Sequence, residues 1–212
     1  SKYGAEYVNR LRRGVQRALG GVQHSFVCLT DDASNLLPDV QAVPLPARSE
    51  RWQGWWFKAC LFAGVQALPR GGLVLYLDLD TVLVGSLQPL LGFSGGFATL
   101  RASYFSAEEE GNDDGYNSSV MLWDGQCSLR ALHDALGDAA LRCLMRWDHW
   151  VEMVIPRAHM LQDLYPRLVV DYRKHCTADG PPRGAVIVCF PRSPKPHEVA
   201  DAWVAAHWSD DS

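Results

Sequence analysis

Apolar residues recur at helical spacing over residues 6–19 (EYVNRLRRGVQRAL), where Tyr7, Leu11, Val15 and Ala18 fall on one stripe. Gly20-Gly21 stops that run. The period then changes. SFVCLT at 25–30 is a short continuous apolar strand closed by Asp31-Asp32. VQAVPL at 40–45 is a second strand, pushed toward a sheet edge by Pro44. A helical pattern returns over 55–68 (WWFKACLFAGVQAL) and ends at Pro69-Arg70-Gly71-Gly72. LVLYLD at 73–78 is apolar at nearly every position, as expected of a strand covered on both faces. FATL at 97–100 and NSSVMLW at 117–123 predict further strands, and the polar, acidic stretch between them predicts a loop. Helices are expected over 128–146, 147–155 and 198–208, with late strands at 168–172 and 185–190. Strands alternate with helices through the first hundred residues, which predicts an α/β domain with a largely parallel sheet. The later strands follow longer loops, so the sheet as a whole is expected to be mixed.

Composition narrows the class. A chain of 212 residues, 48% hydrophobic and 21% charged, can form one domain with a full core and needs no disulfide or metal to hold it. Twenty Lys and Arg against 24 Asp and Glu give a net charge of −4, without the basic excess of a nucleic-acid binder. No stretch approaches the ~18 consecutive apolar residues of a membrane span, and no charged-then-apolar leader opens the chain. The six cysteines form no C-x-x-C pair, and Cys28, Cys60 and Cys189 lie inside apolar runs. That usage predicts reduced thiols and a cytoplasmic location.

The chemistry concentrates at Asp78 and Asp80, which leave the most apolar strand in the run LVLYLDLDTVL. In open α/β sheets ligands bind beyond the carboxyl ends of the strands. Residues i and i+2 of an extended chain point the same way, so two carboxylates there make a site for a hard divalent cation such as Mg²⁺ or Mn²⁺. Two families use this register. In haloacid-dehalogenase phosphatases the first aspartate, here Asp78, would be the nucleophile and the second the general acid. In GT-A-type glycosyltransferases the pair bridges a metal to the diphosphate of a sugar nucleotide. The phosphatase motif belongs near the start of its domain and needs a later acidic pair after a strand. Here two strands and two helices come first, and Asp113-Asp114 lies in a glutamate-rich loop.

The chain as a whole resembles small glycosyltransferases of family eight, the glycogenin and bacterial lipopolysaccharide galactosyltransferase group. YGAEYVNRL, SFVCLTDD, GWWFKACLF, VLYLDLDTVLVGSL, YNSSVMLWD, the aspartate of WDHWVEM and CFPRSPKPHEV occur in the family's order and span nearly all residues. The resemblance implies a GT-A, Rossmann-like fold with a mostly parallel, mixed central sheet flanked by helices. It implies hexosyl transfer from a nucleotide-diphosphate sugar, UDP being the expected nucleotide, to a hydroxyl of a glycan or other acceptor. Asp78 and Asp80 then match the metal-binding pair. Asn117 matches a residue that contacts the donor sugar, and Asp148 one that stands near the anomeric carbon. Lys58, Arg101 and Lys195 match donor- or phosphate-facing positions, and Trp55 is a candidate lining residue of the sugar or base pocket.

The chain also departs from the family pattern. The histidine that completes the metal site is replaced by Cys189, a soft ligand unsuited to Mn²⁺. His197 is then a candidate third ligand, with His207 as an alternative, unless the two aspartates, phosphates and water hold the metal alone. A strand expected before the Tyr3–Leu11 segment is not in the sequence, so the 1–212 domain is expected to lack its first strand. A non-catalytic nucleotide-sugar-binding relic stays open as an alternative beside the phosphatase. The acidic loop over 104–115 is a candidate lid.

Overall fold

A computed structural model describes residues 3–46, 52–65, 68, 71–104 and 115–210. The acidic loop and its candidate lid role fall, apart from Tyr104 and Gly115, outside the described residues. The strands in chain order are β1 (Phe26–Thr30), β2 (Val40–Pro44), β3 (Leu73–Leu77), β4 (Thr81–Leu83), β5 (Phe97–Arg101), β6 (Tyr116–Asp124), β7 (His159–Met160), β8 (Val169–Asp171) and β9 (Ile187–Cys189). The α-helices are α1 (Ala5–Leu19), α2 (Ala131–Asp134), α3 (Asp138–Cys143), α4 (Trp147–Val154), α5 (Leu161–Leu164), α6 (Tyr172–His175) and α7 (Ala202–His207).

Helix α1 follows from its sequence. Glu6 in the first turn and Arg17 in the last complement the helix dipole. The predicted stripe of Tyr7, Leu11, Val15 and Ala18 is buried. Gly20 ends the helix at φ +58° and ψ −123°, with its N–H bonded to Gln16 O. Side chains rarely adopt that backbone conformation, so Gly20→Ala is expected to cost ~1–3 kcal/mol. Thermal unfolding should show a loss of roughly 2–10 °C.

The strands form three sheets. A four-stranded sheet has the order β3-β6-β5-β7, a three-stranded sheet the order β4-β9-β8, and β1 and β2 form a parallel pair. β6 is the spine. It runs antiparallel to β3, from Leu73↔Asp124 to Leu77↔Val120, and antiparallel to β5 on its other side. Among the described residues three pairings are antiparallel (β3–β6, β5–β6, β4–β9) and three parallel (β1–β2, β5–β7, β8–β9). The sheet system is mixed as expected, but parallel pairs do not outnumber antiparallel ones. The reason is local: β6 turns back between β3 and β5 rather than crossing over.

Two large apolar clusters sandwich the four-stranded sheet. One joins Leu11, Val15 and Ala18 of α1 to Leu100, Val120 and Leu122. The other is aromatic, with Trp56, Phe62, Trp123, Trp147 and Trp150. Trp147 is fully buried, edge-on to Trp56 and stacked on Phe62 at 6.2 Å.

Two predicted helices take other forms. The segment expected to be α-helical over 55–68 is a 3₁₀ helix over Gly54–Phe62. Its three-residue period buries Trp56, Ala59 and Phe62 and leaves Trp55 and Lys58 together on another face. The helix expected over 128–146 is split into α2 and α3, because Gly137 takes an extended conformation between them. β4 and β7 are too short to carry a readable period.

Candidate active site

Asp78 follows β3 directly, whereas Asp80 lies two residues further on in a turn rather than in an extended strand. Asp78 N–H bonds Ser119 O at 2.9 Å, extending the ladder with β6 one step past the strand. Tyr76 donates its hydroxyl to Asp78 Oδ1 at 2.6 Å. Lys58 places Nζ 2.9 Å from Asp78 Oδ1 and also donates to Ser118 O at 3.0 Å and Ser118 Oγ at 3.1 Å. The 3₁₀ helix therefore holds an ammonium between the strand end and the spine strand.

Asp80 has a second ammonium. Lys195 Nζ lies 2.6 Å from Asp80 Oδ2 and 2.6 Å from Phe190 O, and Tyr3 donates to the same Oδ2 at 2.8 Å. Both members of this ion pair are buried. Burial and the nearby Asp80 carboxylate push the Tyr3 hydroxyl well above its usual pKa, so it acts as a donor. The main chain fixes the same junction, with Phe190 N–H bonded to Asp80 O at 3.2 Å.

Asp148 joins the group from α4. Its carboxylate does not cap its own helix. Oδ1 accepts the Ser118 N–H at 2.9 Å, beside the lysine that holds the other side of Ser118. Asn117 turns its carbonyl oxygen to the Ser119 N–H at 3.0 Å, and Thr99 donates to Asn117 O at 2.9 Å. His197 bonds through Nδ1 to the Tyr7 hydroxyl. Burial first, and then Asp80, pushes that hydroxyl up to about 12. Beside Asp80 opens a cleft of about 410 Å³, lined by Tyr3, Tyr7, Arg10, Lys195, His197 and Glu198 among others.

The structure thus connects Asp78, Lys58 and Asp148 through Ser118, and brings Asp80 and Lys195 to the neighbouring cleft with His197. Asn117 is adjacent on β6. Two predicted residues stand apart. The Arg101 guanidinium is bound to Asp163 at 2.7 Å rather than to any of these groups. Trp55 is about half exposed (52%), one 3₁₀ turn from Lys58 on its face. Sequence reasoning placed Tyr7 only on the buried stripe of the first helix and gave Tyr3, Tyr76 and Ser118 no part in the site. Only Tyr76, at i−2 of Asp78, carried a usable signal.

Two carboxylates are hard oxygen donors suited to Mg²⁺ or Mn²⁺. Among the described residues no three His, Cys, Asp or Glu side chains converge to hold a metal. Cys189 is buried, which raises its thiol pKa well above the usual value and keeps it protonated. It therefore suits no hard cation, as its soft sulfur predicts. In the structure both carboxylates are engaged by protein groups, Asp78 by Lys58 and Tyr76 and Asp80 by Lys195 and Tyr3.

No family model and no curated protein matches the chain. Solved structures do. The bifunctional glycosyltransferase WbbM, in its apo form, superposes with a TM-score of 0.65 at 14% identity, over 97% of this chain and 48% of its own. The galactosyltransferase LgtC, solved with donor and acceptor sugar analogues, gives 0.55 at 16% identity over 97% and 88%. GlyE of Streptococcus pneumoniae TIGR4 gives 0.56 at 13% identity over 90% and 53%. The chain spans about half the length of WbbM and GlyE. The fold is the GT-A glycosyltransferase fold expected from the sequence. No described helix is long and apolar enough to cross a membrane.

Proposed function

We propose that the protein transfers a hexosyl group from a nucleotide-diphosphate sugar, most simply a UDP-sugar, to an acceptor hydroxyl, with Mn²⁺ or Mg²⁺ at Asp78 and Asp80. The observation that carries this reading is the pairing of two carboxylates with two ammonium groups at one strand end. A diphosphate is the ligand whose charge could release those pairs. Lys58 and Lys195 would turn from Asp78 and Asp80 to phosphate oxygens, and the carboxylates would be freed for a cation. When bound, the cation supplies Lewis-acid neutralisation of charge on the departing diphosphate. Lys58, held by Ser118 O and Oγ, keeps its ammonium at the phosphate side of the site. Asp148 presents a fixed negative charge on the other side of Ser118, suited to a cationic, oxocarbenium-like centre on the sugar. Asn117 contacts the sugar hydroxyls.

The glycosyltransferase fold of the superposed structures favours this reading over the phosphatase alternative. The test is thermal unfolding with UDP, GDP and their sugars, each with and without Mn²⁺, beside Asp78→Asn. A ligand at 100 times its Kd adds ~2.7 kcal/mol, or roughly 5–10 °C for a chain of this size. The expected result is a metal-dependent rise with one nucleotide, lost in Asp78→Asn. A shift without sugar turnover favours the binding relic, and no shift with any nucleotide overturns the proposal.

Trp55 makes a smaller prediction. The exposed Trp55 indole, one 3₁₀ turn from Lys58, offers an apolar face to a sugar ring. Trp55→Ala should leave the melting temperature within about 1 °C, since surface changes stay within ~0.5 kcal/mol. Steady-state kinetics should show the KM of one sugar substrate raised roughly tenfold, equivalent to ~1.4 kcal/mol.

A further inference from the structure

Each carboxylate of the site already has a counter-ion from the chain itself. Lys58 Nζ touches both oxygens of Asp78, Oδ1 at 2.9 Å and Oδ2 at 3.1 Å, and the Tyr76 hydroxyl donates to Oδ1 as well. Lys195 Nζ and the Tyr3 hydroxyl both meet Oδ2 of Asp80. Two carboxylates and two ammonium groups cancel in formal charge. A divalent cation approaching them meets neutral ion pairs instead of two free anions, and its attraction is weak until an ammonium leaves.

Neither a cation nor a diphosphate can open the pairs well alone. If Asp80 turned to a cation, Lys195 would keep only Phe190 O inside a buried site. An uncompensated buried charge of that kind is strongly destabilising. If both lysines turned to a diphosphate, Asp78 and Asp80 would be left as bare neighbouring carboxylates that repel each other. With both ligands present, each set of protein charges finds a new partner. The two pairs differ in depth. Lys58 would still hold Ser118 O and Oγ on leaving Asp78, and that pair is partly exposed. Lys195 and Asp80 are both buried, so theirs is the tighter lock.

We infer that Lys58 and Lys195 mask the two carboxylates, so that the site admits a divalent cation and a nucleoside diphosphate together and neither one well alone, with Lys195 as the principal lock. The masking rests on the two ion pairs, and the nucleotide half rests on the proposed sugar-nucleotide reading. The coupling is reciprocal, so the cation must tighten the nucleotide by the factor by which the nucleotide tightens the cation. A nucleoside monophosphate, with one phosphate for two ammonium groups, should recruit the cation poorly.

Mn²⁺ binding tests this, followed by loss of the free-ion paramagnetic resonance signal and corrected for Mn²⁺ held by nucleotide without protein. Wild type should bind Mn²⁺ at least tenfold more tightly with saturating UDP than without it. UMP should leave the affinity within about threefold of the nucleotide-free value. Lys195→Gln should bind Mn²⁺ alone at least tenfold more tightly than wild type does, and Lys58→Gln should gain less. Lys195→Gln leaves Asp80 unpaired and should melt lower than wild type. Mn²⁺ alone, but not NaCl of equal ionic strength, should then restore part of that loss while leaving the wild-type melting temperature unchanged. Asp80→Asn combined with Lys195→Gln should show neither gain. Lys58→Gln, at the more exposed pair, gives the same comparison without a deeply buried unpaired charge. Wild type that binds Mn²⁺ equally with and without UDP would overturn the inference, and the proposed activity could still stand. Lysine variants that bind Mn²⁺ no better than wild type would overturn it too. Gains in both variants, with no nucleotide tightening Mn²⁺ in wild type, would overturn the joint admission and the sugar-nucleotide reading with it, while the masking held.

Discussion

Asp80→Asn is expected to lower the melting temperature by roughly 6–12 °C. Asp80 and Lys195 form an ion pair at 2.6 Å with side-chain exposures of 11% and 9%. Removing one charge leaves the ammonium with Phe190 O and a neutral amide. Breaking a buried pair in this way costs ~3–5 kcal/mol, because the remaining charge is uncompensated. Asn keeps one acceptor, which places the effect near the lower figure. The double variant Asp80→Asn with Lys195→Met separates stability from function. Replacing a whole buried pair by neutral or apolar groups is often without cost, so most of the lost stability should return. The nucleotide- and metal-dependent thermal rise should not, because both groups proposed to meet the diphosphate and its cation are gone. Thermal unfolding of wild type, single and double variants, with and without ligand, gives all the comparisons. A single variant as stable as wild type would mean that Asp80 and Lys195 do not pair in solution.

Much of this site was legible where chemistry and local order coincide. LVLYLDLD announced a strand followed by two carboxylates, and β3 runs over Leu73–Leu77 with Asp78 directly after it and Asp80 in the turn beyond. YNSSVMLW likewise became the central strand, with Asn117 at its entrance. What could not be read was partnership across long sequence separations. Lys58 is 20 residues from Asp78, and Lys195 is 115 from Asp80. Nothing local marks either lysine as an internal counter-ion: Lys58 interrupts an apolar run, Lys195 stands between two prolines, and a lone lysine ordinarily faces water. Arg101 shows the opposite error. The resemblance gave it a donor-facing place after the FATL strand, but a side chain has its own direction, and here Asp163 takes the guanidinium. The 3₁₀ helix was hidden for a simpler reason. Its run GWWFKACLF is apolar nearly throughout, so three-residue and 3.6-residue periods fit it equally well.

Asp148→Asn is expected to reduce kcat by ~10²–10³-fold while leaving the fold intact, the range typical of removing one electrostatic contact to a transition state. The geometry gives Asp148 two separable duties. Oδ1 accepts the Ser118 N–H at 2.9 Å, which any side-chain carbonyl of the same shape can do. Its charge, beside the ammonium of Lys58, is the part an amide cannot supply. Asn keeps the first duty and loses the second, so thermal stability should stay within about 1 kcal/mol of wild type. Donor binding should survive as well, because the lysines proposed to meet the phosphates and the Asp78–Asp80 pair are untouched. Asp148→Ala loses both duties, and the unpaired Ser118 N–H should then cost a further ~1–3 kcal/mol. The discriminating measurement is kcat for the two variants beside their melting temperatures. Equal activity in Asp148→Asn and wild type would make the carboxylate a brace for β6 and nothing more. A large loss of kcat at unchanged stability would place its charge at the reacting sugar, where the approach of a cationic centre gives a fixed anion its greatest effect.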